Sequence, residues 1–444
     1  MRSGFASHRA WGVEYGFIDW KQFRIVEQLV RSFELLELEF ILVNRFIKLL
    51  EFFEFLEFVE LFGLLKFLEL VEHRLLFELR GRRIQFEFRR FVLRFRFVRR
   101  LRTEHEALVG GELAQERLLL RNFQSPGDIL MLTAAVRDLH ACYPGRFVTD
   151  VRTSCPDLWQ HNPHLTPLRD DDPGVRVVDC QYPLIHRSNT APYHFIHGFI
   201  EHLNDTLGLE VRPTLFRGDI HLSRDEERWF EEVISKKGRP PRFWMFASGG
   251  KFDYTIKWWD AKRYQKVVDH FSGRLDFVQI GEGQHHQPAL RRVLDLRGQT
   301  TLRQLVRLMH HAEGAISAVS LLMHLAAAVP VKAGMPLNRA CVVIAGGREP
   351  PHFTFYPHHQ YLHTVGALLC CDNGGCWKSR TKPLGDGDAK DSELCLDVVG
   401  DLPRCMDMIT AADVIRAIER YYEGGALPPL RRARRVGAAP SQRR

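Results

Sequence analysis

A strand-like run, Leu118-Leu-Leu-Arg-Asn122, leads through Gln124-Ser-Pro-Gly127 to an aspartate, Asp128. An acid in that place can serve two ends. In the first turn of a helix it caps free N–H groups and favours the dipole; projecting from a strand end into a cleft it can act as a general base. Further on, Ala247-Ser-Gly-Gly-Lys251 and Lys257-Trp-Trp259 gather two glycines and two lysines behind another strand. Such a loop cradles a diphosphate well, and solvated lysines are the plain alternative. It is not a P-loop, because Met245 stands five positions before Gly250 and Phe252 follows Lys251. His324 opens an apolar helix after Ala318-Val-Ser-Leu-Leu-Met323, where Ser320 and backbone N–H groups can meet a phosphate. A satisfied core histidine is the competing reading. The Asp170-Asp-Asp172 run offers oxygen ligands for a hard cation, but Pro173 and Gly174 behind it read as a solvated loop.

Five of the nine cysteines, Cys370, Cys371, Cys376, Cys395 and Cys405, fall close together. Cys371, Cys376, Cys395 and Cys405 are separated by four, eighteen and nine residues, with Gly374, Gly375 and Pro403 to turn the chain between them. Four thiolates can converge on one iron or zinc ion, as a structural site closed to substrate. Whether Cys370 stands in for Cys371 is left open by the spacing, and unpaired thiols are the alternative.

These residues need a scaffold, and from Leu118 onward the sequence supplies one in alternating β and α patterns. Strands are expected at Leu118–Asn122, Gly145–Val151 and Val175–Asp179, with helices at Ile129–Tyr143, His197–Leu207 and Asp225–Ser235. After the Gly238-Arg-Pro-Pro241 break a second series begins. Its strands are Phe243–Ala247, Phe277–Ile280, Gly314–Ser317 and Ala340–Ile344; its helices are Ala261–Phe271, Leu302–His311, Leu322–Val329 and Ala411–Tyr422. Two such series joined at a hinge predict two Rossmann-like, doubly wound α/β domains facing across a cleft. Their ligands belong at the carboxyl ends of the strands.

The first quarter of the chain is of another kind. All 22 prolines and all nine cysteines come after residue 122, while more than half of the 31 phenylalanines come before residue 100. Glutamates at 51, 54, 57 and 60 drift around a helix, whereas Phe86-Glu-Phe-Arg89 alternates like a strand. Residues 1–115 therefore read as a low-complexity extension, an added helical region, a disordered segment or the product of a start placed too far upstream. The remaining divisions are 116–237, 238–425 with a cysteine-rich loop at 365–408, and a basic tail at 426–444.

Composition narrows the class. With 45% hydrophobic and 26% charged residues over 444 positions, the chain is neither collagen-like nor disordered as a whole. The longest uncharged apolar stretch, Gly314 to Val331, holds two serines, a histidine and a proline, unlike a bilayer span. The net charge of +8 is concentrated: six arginines, from Arg431 to Arg444, follow Pro429 without an acid. No basic face for nucleic acid is expected, and any membrane contact would be peripheral, through that tail. Without an export signal at its head and with an odd cysteine count, the chain reads as cytoplasmic, its thiols reduced.

Four segments together resemble glycosyltransferase family 9, the ADP-heptose heptosyltransferases. They are Asn122-Phe-Gln-Ser-Pro-Gly-Asp128, Lys257-Trp-Trp259, Asp295-Leu-Arg-Gly-Gln-Thr-Thr-Leu302 and Met323-His-Leu-Ala-Ala327. The resemblance covers about Leu118 to Gly425, and the cysteine-rich end is similar to the autotransporter heptosyltransferase branch. It implies a GT-B architecture, with the acceptor on the first half and the nucleotide sugar on the second. It also implies Asp128 as catalytic base, Lys257 with Lys251 at the phosphates, Ser320 and His324 in the diphosphate loop, Thr300 beside base or ribose, and Glu282 at the ribose hydroxyls. The branch further implies an iron on the four cysteines and a homo-oligomer. Val319-Ser-Leu321 stands where lipopolysaccharide enzymes of the family carry Asp-Thr-Gly, so the donor sugar need not be theirs. The expectation is inverting transfer of a heptose-type sugar to a protein or glycan hydroxyl, with no divalent ion needed for departure. A lipopolysaccharide-type enzyme using another nucleotide sugar, and a metal-binding scaffold whose transferase site has decayed, are the alternatives.

Overall fold

The computed structural model describes residues 115–182, 185–228, 242–388 and 390–430. The low-complexity extension up to residue 114, the Gly238–Pro241 hinge and the arginines of the tail lie outside the described residues. All of the described residues fall in one compact unit, Glu112–Arg444. Among them no helix is long and apolar enough to cross a membrane.

That unit holds two parallel sheets. The first has three strands, β1 (Glu116–Asn122), β2 (Phe147–Thr153) and β3 (Val175–Asp179), in the order β2-β1-β3. Helices α1 (Pro126–Cys142) and α2 (Ile196–Leu207) accompany it, and α3 (Arg224–Arg228) follows. Of the helix expected from Asp225 to Ser235, the structure describes only this first part. The second sheet has six parallel strands in the order β6-β5-β4-β7-β8-β9. They are β4 (Phe243–Phe246), β5 (Asp276–Gln279), β6 (Leu294–Asp295), β7 (Gly314–Ala318), β8 (Ala340–Gly346) and β9 (His359–His363). Between and after them run α4 (Ala261–His270), α5 (Leu302–His311), α6 (Leu321–Ala328) and, at the C-terminal end, α7 (Ala411–Glu423). This is the two-sheet α/β architecture expected from the sequence, with three strands in the first sheet among the described residues.

Strand order fixes where a ligand can go. The order reverses between β4 and β7 in the second sheet and around β1 in the first. At such switch points the neighbouring loops part and leave a crevice beyond the carboxyl ends of the strands. The loop after β1 leads to Asp128 in the first turn of α1, the loop after β4 carries Lys251, and the one after β7 ends on Ser320.

Every residue of β8 is buried, as expected for a parallel strand covered on both faces. One hydrophobic core runs through both halves and includes Leu130 and Met131 of α1 together with Met323 and Leu325 of α6. The two halves meet through these apolar side chains. A second core joins Trp244, Phe271 and Trp259 to Ile418 and Tyr421 of α7. Trp244 Nε1 donates to Tyr422 Oη at 2.8 Å, and that hydroxyl donates to Glu313 at 3.0 Å, so the buried polar ends are satisfied.

Two buried arginines tie loops together. Arg303 of α5 donates to both carboxylate oxygens of Glu226 at 2.7 and 2.6 Å and to His221 O at 2.7 Å, while its backbone N–H reaches Asp157 at 3.1 Å. Arg339 spends its guanidinium on the carbonyls of Ala312, Ala326, Val329 and Pro330 at 3.1–3.2 Å. The Asp170–Asp172 run is an exposed turn in which Arg152 and Arg169 pair with Asp170 and Asp171.

Candidate functional site

Helix α1 starts at Pro126, where a fixed φ suits the first helical turn. Asp128 is its third residue and accepts the Ser125 N–H at 2.9 Å, so the capping reading holds. The same carboxylate lines a cavity of about 320 Å³ between the two sheets. Burial pushes its pKa above the usual aspartate value, opposed by a hydrogen bond from Tyr182, the Ser125 N–H, and the charges of Lys257 and Lys251.

Tyr182 is locked in place. Its ring meets Phe195 and Phe199 edge-on, with centroids 4.8 and 5.3 Å away. It fits only because residue 198 is glycine, since a Cβ there would lie 2.5 Å from the Tyr182 Cβ. Gly198→Ala is expected to cost about 1–3 kcal/mol by overpacking and to tilt Tyr182 away from Asp128. Urea denaturation, run beside the pH–rate profile, reads both effects.

From the second half, Lys251 reaches across the cavity, its Nζ 3.0 Å from Ser125 Oγ. The loop that carries it is pinned by a two-way backbone pair between Gly250 and His286. Lys257 is half-buried, and its Nζ donates to Val319 O at 3.0 Å and pairs with Glu349 at 2.9 Å. Burial alone would raise the Glu349 carboxyl, but Lys257 and Arg348 more than offset it and hold the group below its ordinary value, ionised. One of the three Lys257 protons remains for a ligand.

Ser320 stands at the N-cap of α6, its Oγ 3.0 Å from Ser317 Oγ. His324 is 4% exposed, and its Nδ1 lies 2.6 Å from Tyr356 Oη. Burial, aided by His194 and Lys257, pushes its pKa down to about 3, so the ring is neutral and offers a diphosphate no charge. It packs beside Gly127, at the start of α1. Glu282, just beyond β5, is exposed, with His285 Nε2 3.4 Å from its carboxylate. Thr300 lines the same cavity.

One cavity thus brings together Asp128, Lys251, Lys257, Glu282, Thr300, Ser320 and His324. Tyr182, Tyr254, Arg348 and Glu349 line it as well, and sequence reasoning passed over all four. For the last pair a signal existed. Gly346-Gly347-Arg348-Glu349 follows the apolar run of β8, another strand end carrying two glycines and charge.

The cysteines sit elsewhere. Cys371 and Cys405 flank Gly347, and the Cys376 N–H donates to Gly347 O at 3.3 Å. Cys371 Sγ lies 3.4 Å from Leu368 O, and Cys395 Sγ lies 3.2 Å from Asp397 O. All nine cysteines are free thiols. Four sulfurs are the right donors for iron or zinc, but among the described residues no three His, Cys, Asp or Glu side chains are gathered closely enough to hold an ion.

No family model matches the chain, and no curated protein matches it. Solved structures of similar fold include a glycosyltransferase family 9 protein of Veillonella parvula, 16% identical, with 70% of this chain and 98% of that one covered and a TM-score of 0.47. Another is the ADP-heptose lipopolysaccharide heptosyltransferase II of E. coli, at 14% identity, 70% and 100% coverage and a TM-score of 0.46. A third is the iron-containing dodecameric glycosyltransferase TibC of enterotoxigenic E. coli, at 18% identity, 70% and 76% coverage and a TM-score of 0.47.

Proposed function

We propose that the protein is an inverting glycosyltransferase that moves a heptose-type sugar from a nucleoside diphosphate, ADP-heptose by the resemblance of its motifs, to a hydroxyl of a protein or glycan. The observation that carries this reading is the shared cavity. A carboxylate from the first sheet faces two lysines and a helix N-terminus from the second across about 320 Å³.

Each part has a role that its chemistry supports. Asp128 takes the proton of the acceptor hydroxyl as its oxygen attacks the anomeric carbon. The bond from that carbon to the diphosphate oxygen breaks on the opposite face, and the nucleoside diphosphate leaves. Lys251, the remaining Lys257 proton and the N-terminus of α6 offset the charge growing on it. Positive charge is thereby supplied without a divalent ion, and added magnesium is expected to leave the rate unchanged. Glu282 and Thr300 are assigned to the nucleoside end. A second groove, of about 360 Å³ and lined by Arg121, Phe123, Gln124 and Asp179, opens at the ends of β1 and β3 and shares Tyr182 with the first. It supports an acceptor approaching over the first sheet.

The metal is a separate matter. A structural iron or zinc on Cys371, Cys376, Cys395 and Cys405 remains a proposal, and elemental analysis of the purified chain decides it. No catalytic step passes through it. The transferase reading is tested by nucleoside diphosphate release from ADP-heptose, with protein, glycan and lipid-linked acceptors and with or without detergent. Release that depends on a soluble protein or glycan supports the reading; release only with lipid and detergent moves the acceptor to a membrane; none with any acceptor contradicts transfer.

A further inference from the structure

Two side-chain atoms of residues lining the cavity are buried without a hydrogen-bond partner among the described residues, Trp258 Nε1 and Gln287 Oε1. Leaving either unpaired forfeits its hydration with nothing in return. The two are opposite in kind, since an indole N–H only donates and a carboxamide oxygen only accepts. A ligand that satisfies both must bring an acceptor to one and a donor to the other.

Their surroundings say which end is which. Trp258 is held flat against His286, with ring centroids 4.0 Å apart, and its Nε1 lies 3.6 Å from where a Cβ on Gly250 would stand. Lys251 is the next residue, so this is the cationic end of the cavity. Gln287 follows the end of β5, and its backbone carbonyl is held by the Arg297 guanidinium. Its amide nitrogen rests over Gly281, 2.8 Å from where a Cβ there would be, and Oε1 is the buried acceptor left without a partner. Glu282, an exposed carboxylate beside it, is available for ribose hydroxyls.

Building on the donor reading above, we propose that these atoms fix the two ends of the bound nucleotide. Trp258 Nε1 donates to a diphosphate oxygen, and Gln287 Oε1 accepts from an exocyclic amino group on the base. The carboxamide oxygen accepts, and the exocyclic amino group of adenine is a donor. The site then prefers an aminopurine over the 6-oxo purine of the same shape, which presents an oxygen to Oε1. Gln287 is thereby a specificity-determining residue.

The test is calorimetric titration of the full chain with ADP, inosine diphosphate and adenosine, each variant being checked for folding by its urea midpoint. The native chain is expected to bind ADP about ten- to a hundredfold more tightly than inosine diphosphate. Gln287→Leu loses that preference, and Gln287→Glu, which keeps an acceptor, retains it. Trp258→Phe weakens ADP about tenfold and leaves adenosine unchanged. Equal native affinity for the two diphosphates, a preference surviving in Gln287→Leu, or equal weakening of ADP and adenosine by Trp258→Phe overturns the assignment. If the native chain binds none of the three, the donor reading itself falls.

Discussion

Asp128→Asn is expected to lower kcat by about 10²–10⁴-fold while leaving nucleotide binding and folding near native. Asparagine is the informative replacement because Asp128 has two jobs. Its carboxylate accepts the Ser125 N–H at the start of α1, and an amide oxygen can accept the same bond. The helix start is kept and only basicity is lost. If capping were the whole role, asparagine would serve and the rate would be unchanged. Alanine would confound the two by removing a cap worth about 1 kcal/mol. The pH dependence follows with a definite sign. The base works only when ionised, and burial raises its pKa, so kcat/KM falls on acidification at a pH above the ordinary aspartate value of about 3.9. Tyr182→Phe removes a donor to that carboxylate and moves the acidic limb further up.

The second large effect concerns stability. Glu349 is 3% exposed and pairs with Lys257 at 2.9 Å. Glu349→Ala leaves Lys257 and Arg348 without their carboxylate; with the lysine about a quarter open to solvent, the expected cost is about 1–3 kcal/mol. Lys257→Met costs less, because Arg348 still pairs with the Glu349 carboxylate. The double variant Lys257→Met/Glu349→Leu recovers much of the loss, since neither charge is left alone. Urea denaturation of all three completes the cycle. Donor binding separates the roles: the double variant folds but binds nucleotide sugar more weakly, having lost the free Lys257 proton. A double variant that binds as well as the native chain removes Lys257 from the phosphate site.

How much of this was legible in the sequence depended on whether the signal was local. The helix expected at Leu302–His311 has those bounds in the structure, where Thr301 and Gln304 close a capping box at its start. The buried parallel strands stood out as unbroken apolar runs. β9 did not, because His359-Gln-Tyr-Leu-His363 is half polar, and β6 is only two residues long. The strand-end loops disclosed Asp128, Lys251 and Ser320, since the architecture itself sends ligands there. Tyr182 reaches the cavity only through tertiary packing, by way of the missing Cβ of Gly198, whereas Glu349 stands just past the end of β8. His324 sits where expected, but its burial and the resulting neutrality are set by Tyr356 and Phe195, distant in sequence. The cysteine spacing counts residues without fixing the directions of the sulfurs, and Cys371 and Cys405 come together only by flanking Gly347.

The most direct test of the central claim is calorimetric titration of the full chain with ADP-heptose, with UDP-glucose and GDP-mannose as comparators. Selective, saturable binding of ADP-heptose, retained in Asp128→Asn and weakened when Lys251 is replaced by alanine, is the expected result. Equal binding of all three sugars, or binding of none, would contradict a cavity built for that donor.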